Sequence, residues 1–193
     1  SEMAAETFFH NLVSPITDKS EWQGYVSLPV EDQVSKKVLV KELSALLNSK
    51  KALSSVVQSH PDLIVGGPPC QGFSLAGRRN PDDVRNQLPW QFLDLVERSR
   101  PKMVVIENVV GMRHKFSSDD NGDVFQQLQQ ALIETKPGYV VQGVQVNALH
   151  YGAPQHRPRL MIIGVRTDLA KKKNIASTGK LWSSNFVDLI VGK

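Results

Sequence analysis

The chain has 193 residues, 40% hydrophobic and 22% charged, and Lys and Arg outnumber Asp and Glu by 23 to 19 for a net charge of +4. These proportions fit one ordinary globular domain or part of one, with a mild bias toward polyanions. A single cysteine excludes an intrachain disulfide framework and fits a reducing compartment, and no apolar run approaches the roughly 20 residues a membrane-spanning helix needs.

In chain order, Met3 to Asn11 reads as a helix, and Leu12 to Gln33 as polar and irregular with Pro15, Gly24 and Pro29. Val40, Leu43, Leu46 and Leu47 form a helical stripe that Leu53, Val56 and Val57 continue toward His60-Pro61. Asp62 to Val65 is a short apolar run of the kind found in buried parallel strands. The segment GGPPCQGFS, Gly66 to Ser74, then combines glycines and prolines in a stiff turn that carries Cys70. A thiol at the mouth of such a strand sits where open α/β sheets bind their ligands.

Ser74 to Pro81 reads as a mobile loop with Gly77, Arg78 and Arg79. Phe92, Leu93 and Val96 mark a helix with Pro89 in its first turn. Met103 to Ile106 is a second strand that ends at Glu107-Asn108. Asp123 caps a helix carrying Val124, Leu128, Ala131 and Leu132. Tyr139 to Val146 and Leu160 to Val165 are further strands, separated by YGAPQHRPR, whose prolines and glycine oppose regular structure. The lysine run Lys171 to Lys173 reads as solvated surface. The alternation of helix and strand places the chain in the α/β class.

Three ordered segments, GGPPCQGFS, IENV at Ile106 to Val109, and YGAPQHRPR at Tyr151 to Arg159, resemble the cytosine C5 methyltransferase family. Arg85-Asn86, Leu88 and the run RPKMVVIENV from Arg100 agree as well. The resemblance runs from about Pro61 to Arg166, over half the chain. It implies a Rossmann-like core with a mostly parallel sheet and a closing antiparallel strand pair. It also implies transfer of a methyl group from S-adenosylmethionine to C5 of cytosine in DNA, in a bacterial modification or restriction-modification enzyme.

Under that resemblance Cys70 is the nucleophile that adds to ring C6, the step that makes C5 reactive. A thiolate is the reactive form, so an electropositive setting is expected, with Arg157 and Arg159 as its sources. Glu107 matches the family's acid toward ring N3 and the exocyclic amine. A raised pKa among apolar neighbours would suit that role. Arg157 and Arg159 alternate about Pro158, so extended backbone would turn them to one side; Arg159 is expected at the base and Arg157 in support. Asn108 is expected to be a structural hydrogen-bonder, while His150 and His156 are expected to stand outside the chemistry. Gln71, Ser74, Arg78 and Arg85 are expected to contact DNA from a closing loop.

The expected partner is double-stranded DNA with its cytosine flipped out of the stack. A monomer, with a cognate restriction endonuclease in the same system, completes the expectation. The expected location is the bacterial cytoplasm at the nucleoid, or the nucleus in a eukaryote. For the cofactor, Pro69 and Leu88 match positions lining the methionine end. No glycine-rich turn precedes Gly66, and Asp32 and Glu42 are weak candidates for an acid that would contact the adenine. Serine first and lysine last suggest a segment of a longer chain, so residues 1–193 read as a partial catalytic domain that lacks the upstream cofactor motif and the target-recognition domain. Such a segment is expected to be inactive alone. A tRNA cytosine methyltransferase, an inactive regulatory relative and an unrelated thiol hydrolase are the alternatives. Intact Cys70, Glu107, Arg157 and Arg159 weigh against an inactive relative, and the lack of a motif-placed histidine base weighs against a hydrolase.

Overall fold

A computed structural model of the chain describes residues 2–69, 87–113, 123–175 and Leu181. The chain divides into two compact units, residues 1–60 and 61–193.

The first unit is helical: α1 (Glu2–Leu12), α2 (Lys19–Ser27), α3 (Val30–Ser35), α4 (Leu43–Asn48) and α5 (Lys50–Gln58). The stretch expected to be irregular therefore contains α2 and α3, each too short to show an apolar period. Asp18 starts α2 by accepting from the backbone of Ser20, and Pro29 precedes α3. Trp22 and Tyr25 stack at 5.4 Å, with the Phe9 ring 4.5 Å from Tyr25. Gln33 is wholly buried. Its amide nitrogen donates to the carbonyls of Tyr25, Val26 and Leu28, and its oxygen accepts from the Val40 N–H.

The expected single stripe from Val40 is interrupted: Val40 precedes α4, and the helix breaks at Ser49. The Ser49 hydroxyl caps α5 at Ala52 and donates to Glu31, and this bond holds the Glu31 carboxyl below its ordinary pKa.

The second unit contains a mixed sheet of β1 (Leu63–Gly66), β2 (Met103–Val109), β3 (Tyr139–Asn147) and β4 (Pro158–Arg166), in the order β1-β2-β4-β3. Only β1 and β2 pair in parallel, whereas β4 runs antiparallel to both of its neighbours. The expectation of a mostly parallel sheet is corrected accordingly, and the closing antiparallel pair is present. The cause is connection length. The crossover through α7 (Val124–Glu134) brings β3 back pointing the same way as β2, one strand away. The short link from Asn147 to Pro158 then lets β4 return only antiparallel, into the space between them.

Alternation along β2 buries Val104, Ile106 and Asn108 on one face. The helices α6 (Leu88–Ser99) and α7 pack on that face, where missing side chains let them approach: Phe92 meets Gly66, and Phe125 meets Gly143. Pro89 stands in the first turn of α6, and Asp123 with Gln126 makes a reciprocal cap on α7. At the far end of the sheet Tyr139 is buried, donates to the Pro101 carbonyl at 2.8 Å, and has its phenol pKa pushed up to about 12 by burial. The helix α8 (Thr167–Lys172) closes the described part, and its Lys171 and Lys172 are exposed. Among the described residues no helix is long and apolar enough to cross a membrane.

Candidate active site

The sheet's topology decides which residues meet. β1 and β2 are parallel, so Gly66 and Val109 finish at the same end, and the antiparallel β4 begins there with Pro158 and Arg159. Ligand sites of open α/β sheets form at this end.

β2 continues three residues past its last pairing with β1, which is Gly66 with Ile106. Glu107 and Asn108 are therefore part of the strand and face opposite ways. Val109 pairs with Arg159 and Glu107 with Met161, so Glu107 and Arg159 are diagonal neighbours on one face. Arg159 Nε donates to Glu107 Oε1 at 2.7 Å, with the side chains 21% and 41% exposed respectively. Arg159 Nη1 also donates to the Pro158 carbonyl at 2.8 Å. An ion pair this open to water contributes only about 0.2–1 kcal/mol to stability. Its significance is orientation: one carboxylate oxygen is held by the guanidinium, and the other faces the turn after β1. A Cβ on Gly67 would lie 3.0 Å from Glu107 Oε2, so the turn passes close to the carboxyl and a side chain there would press on it.

Asn108 points the other way and is 6% exposed. Its amide nitrogen donates to the Pro68 carbonyl at 2.9 Å, and its oxygen accepts from the Val109 N–H at 2.9 Å. The expectation of a structural hydrogen-bonder is met here by a specific partner in the turn.

Arg157 is exposed and lies just before β4. Its backbone N–H donates to Asn147 Oδ1 at 2.9 Å, and the same oxygen accepts from Leu149 at 3.2 Å. Asn147, at the end of β3, thus fastens both ends of the link that delivers Arg159. Sequence reasoning did not single out Asn147, and it read Gly67 only as part of the stiff turn, without its neighbour Glu107. An asparagine at the junction of strand and loop was the available signal for the first. His150 and His156 are exposed in that link.

Cys70, Gln71, Ser74, Arg78 and Arg85 lie outside the described residues. Pro69, exposed, and Leu88, half-buried at the start of α6, are described. Both have apolar side chains that suit the aliphatic edge of a bound methyl donor and cannot themselves hydrogen-bond to a nucleoside. Asp32 is exposed in the first turn of α3, and Glu42 is exposed just before α4; neither is distinguished by a contact that would select it. Among the described residues no cluster of metal-ligating side chains occurs.

Residues 45–187 match the family model of the C-5 cytosine-specific DNA methylases. The type II methyltransferase M.AgeI of Thalassovita gelatinovora is 40% identical over 109 residues, 56% of this chain and 24% of that protein. M.DdeI of Desulfomicrobium norvegicum, also a type II methyltransferase, is 36% identical over 134 residues, 68% of this chain and 31% of that protein. Among solved structures, a DNA modification methyltransferase encoded within a prophage of E. coli superposes with a TM-score of 0.51 at 28% identity, covering 73% of this chain and 38% of that one. The chain thus spans about a quarter to a third of the length of these curated relatives, and its fold is the Rossmann-like fold of the structural neighbour.

Proposed function

Since the chain belongs to the C-5 cytosine-specific DNA methylase family, we propose that the protein transfers a methyl group from S-adenosylmethionine to C5 of cytosine in DNA, through a covalent adduct between Cys70 and C6. The observation that carries this reading is the meeting of Glu107, held by Arg159 at 2.7 Å, with the Gly67–Pro69 turn that leads directly into the chain's only cysteine.

The roles follow from the chemistry of the ring. The Cys70 thiolate forms a bond to C6, and the C5–C6 π electrons shift toward C5 and N3. Glu107 supplies a proton at N3, so the charge entering the ring is neutralised as it develops. Arg159 fixes the orientation of that carboxyl and has further N–H donors for the base oxygen. Arg157 supports from the edge of the link. The methyl donor, when bound, supplies an electrophilic carbon to C5, and Pro69 and Leu88 would line its apolar side. Loss of the C5 proton to water then expels the thiolate, restores the C5–C6 double bond, and returns the N3 proton.

Gln71, Ser74, Arg78 and Arg85 are proposed to hold DNA around a base turned out of the duplex. The family and the type II names of the relatives favour DNA over tRNA, and a bacterial modification system that includes a restriction endonuclease as its setting. We propose that the enzyme acts as a monomer and that the catalytic domain extends beyond these residues.

The test is product analysis. The full-length protein, incubated with duplex DNA or with tRNA and S-adenosylmethionine, is followed by nucleoside digestion and mass spectrometry. 5-Methylcytosine in DNA, absent with Cys70→Ser, is expected. Methylation by the serine variant at the parent's rate, or product only in tRNA, would overturn the reading.

A further inference from the structure

We propose that the link from Ala148 to Arg157 is a pH-graded contact for DNA phosphates, in which His150 and His156 join Arg157 as cations when their imidazoles protonate. The proposal rests on DNA as the substrate and gives the two histidines a part in holding it, outside the chemistry.

The link joins β3 to β4 at the end of the sheet where Glu107 and Arg159 meet. Its ends are closed on each other. The Ala148 N–H donates to the Arg157 carbonyl at 3.2 Å, and Asn147 Oδ1 accepts from the N–H groups of Leu149 and Arg157. Within it, the Ala153 N–H donates to the Ala148 carbonyl at 3.2 Å and the Gln155 N–H to the Ala153 carbonyl at 2.7 Å. Gly152 turns the chain with a φ of 84°. The link is therefore a compact loop on a fixed base, and not a slack connection. His150, Gln155, His156 and Arg157 are all exposed on it.

Charge decides what such a loop attracts. From Ala148 to Arg159 the sequence holds two histidines and two arginines and no carboxylate. Tyr151 and Arg157 are the link's other titratable side chains. Of the strands behind it, β3 carries no charged residue and β4 brings Arg159 to this end. β2 brings Glu107, which is already matched by Arg159 at 2.7 Å. These elements thus leave an imidazolium on the link without an anion of its own. Imidazoles gain their positive charge as pH falls between about 8 and 5, and exposure spares these two a large desolvation penalty. Protonation takes the link from the single cation of Arg157 to three. Each added cation brings N–H donors suited to phosphate oxygens. The sign follows: DNA favours the protonated form, so affinity rises as pH falls.

The experiment compares full-length wild type, the double variant His150→Gln/His156→Gln and the permanently charged His150→Lys/His156→Lys. Fluorescence anisotropy on one labelled duplex is read over a salt series at about pH 8 and about pH 5.5, either side of the imidazole range. Each phosphate contact adds about 0.9 to the slope of log affinity against log salt concentration. On lowering the pH, the wild-type slope is expected to steepen by about 1.8 more than that of the glutamine variant. The lysine variant should be steeper than the glutamine variant at both pH values. The chain's other histidines titrate in all three proteins, so the differences isolate this pair. Equal steepening in wild type and glutamine variant, or an affinity lost by the same factor at both pH values, would overturn the proposal. Misfolding of the glutamine variant, read by thermal midpoint, would also overturn it, because the imidazoles would then be holding the link together. Product found only in tRNA, alongside histidine-dependent steepening on the duplex, would refute the proposed function and leave this inference standing. 5-Methylcytosine in DNA without that steepening would do the reverse.

Discussion

Gly66→Ala is the perturbation whose size can be worked most directly from the structure. An added Cβ would lie 2.3 Å from Phe92 Cε2, 2.9 Å from Cδ2 and 3.1 Å from Cζ. Carbon atoms in ordinary contact stand about 3.5–4.0 Å apart, so the ring edge must withdraw by more than an ångström. Phe92 is 7% exposed and sits on α6 between buried neighbours, Leu93 and Val96 among them, so it has little room to turn. Overpacking of this kind costs about 1–3 kcal/mol. For a chain of this size each kcal/mol lowers the melting midpoint by about 2–4 °C. Thermal and urea denaturation of Gly66→Ala, Phe92→Leu and the double variant form a cycle. The alanine is expected to cost less than half as much once the ring is gone. A Gly66→Ala protein within about 0.3 kcal/mol of wild type, or a cycle that is simply additive, would refute the packing of α6 on the end of β1.

Two further predictions concern the acid and the buried phenol. Glu107→Gln keeps an oxygen for Arg159 but cannot deliver a proton, so methyl transfer by the full-length protein should fall by about 100-fold or more. Filter binding should show little change in DNA affinity, and a near-normal rate would mean that water protonates N3. Tyr139→Phe removes the bond to Pro101 and leaves that carbonyl short of a donor, at about 1–2 kcal/mol by urea denaturation at neutral pH. Because burial raises the folded phenol's pKa to about 12 from an unfolded value near 10, wild type holds its extra stability fully below the lower value. That stability is lost as pH rises through the upper value. The difference between wild type and Tyr139→Phe should therefore shrink across that window, and a constant difference would contradict the burial argument.

The strands were readable because their apolar runs are short, separated and bounded by turn residues. The capped helix from Asp123 was readable because its apolar spacing and its cap agree. The reversal of β4 was implied only by family resemblance, since apolar alternation does not encode strand direction. α2 and α3 were missed because their burial rests on an aromatic cluster and on one amide, Gln33, that a hydropathy pattern scores as polar. The break at Ser49 was hidden inside a continuous apolar stripe, because a serine that caps looks the same in sequence as a serine on a helix surface. At the site, Glu107 and Arg159 were named from motif, and the structure brings them to 2.7 Å. The contact of Gly67 with Glu107 and the fastening by Asn147 depend on through-space neighbours far apart in the chain, which local spacing does not reveal.

The central claim, that the turn after β1 delivers a nucleophile to the acid held by Arg159, is tested most directly by covalent capture. Full-length protein is incubated with a 5-fluorocytosine duplex and S-adenosylmethionine, and the product is analysed by intact mass and peptide mapping. The fluorine blocks the final elimination, so one stable protein–DNA adduct is expected, mapped to Cys70, absent from Cys70→Ser, and formed far more slowly by Glu107→Gln. An adduct that persists in Cys70→Ser, or methylation of unmodified DNA by a protein that the fluorinated duplex never captures, would contradict the account.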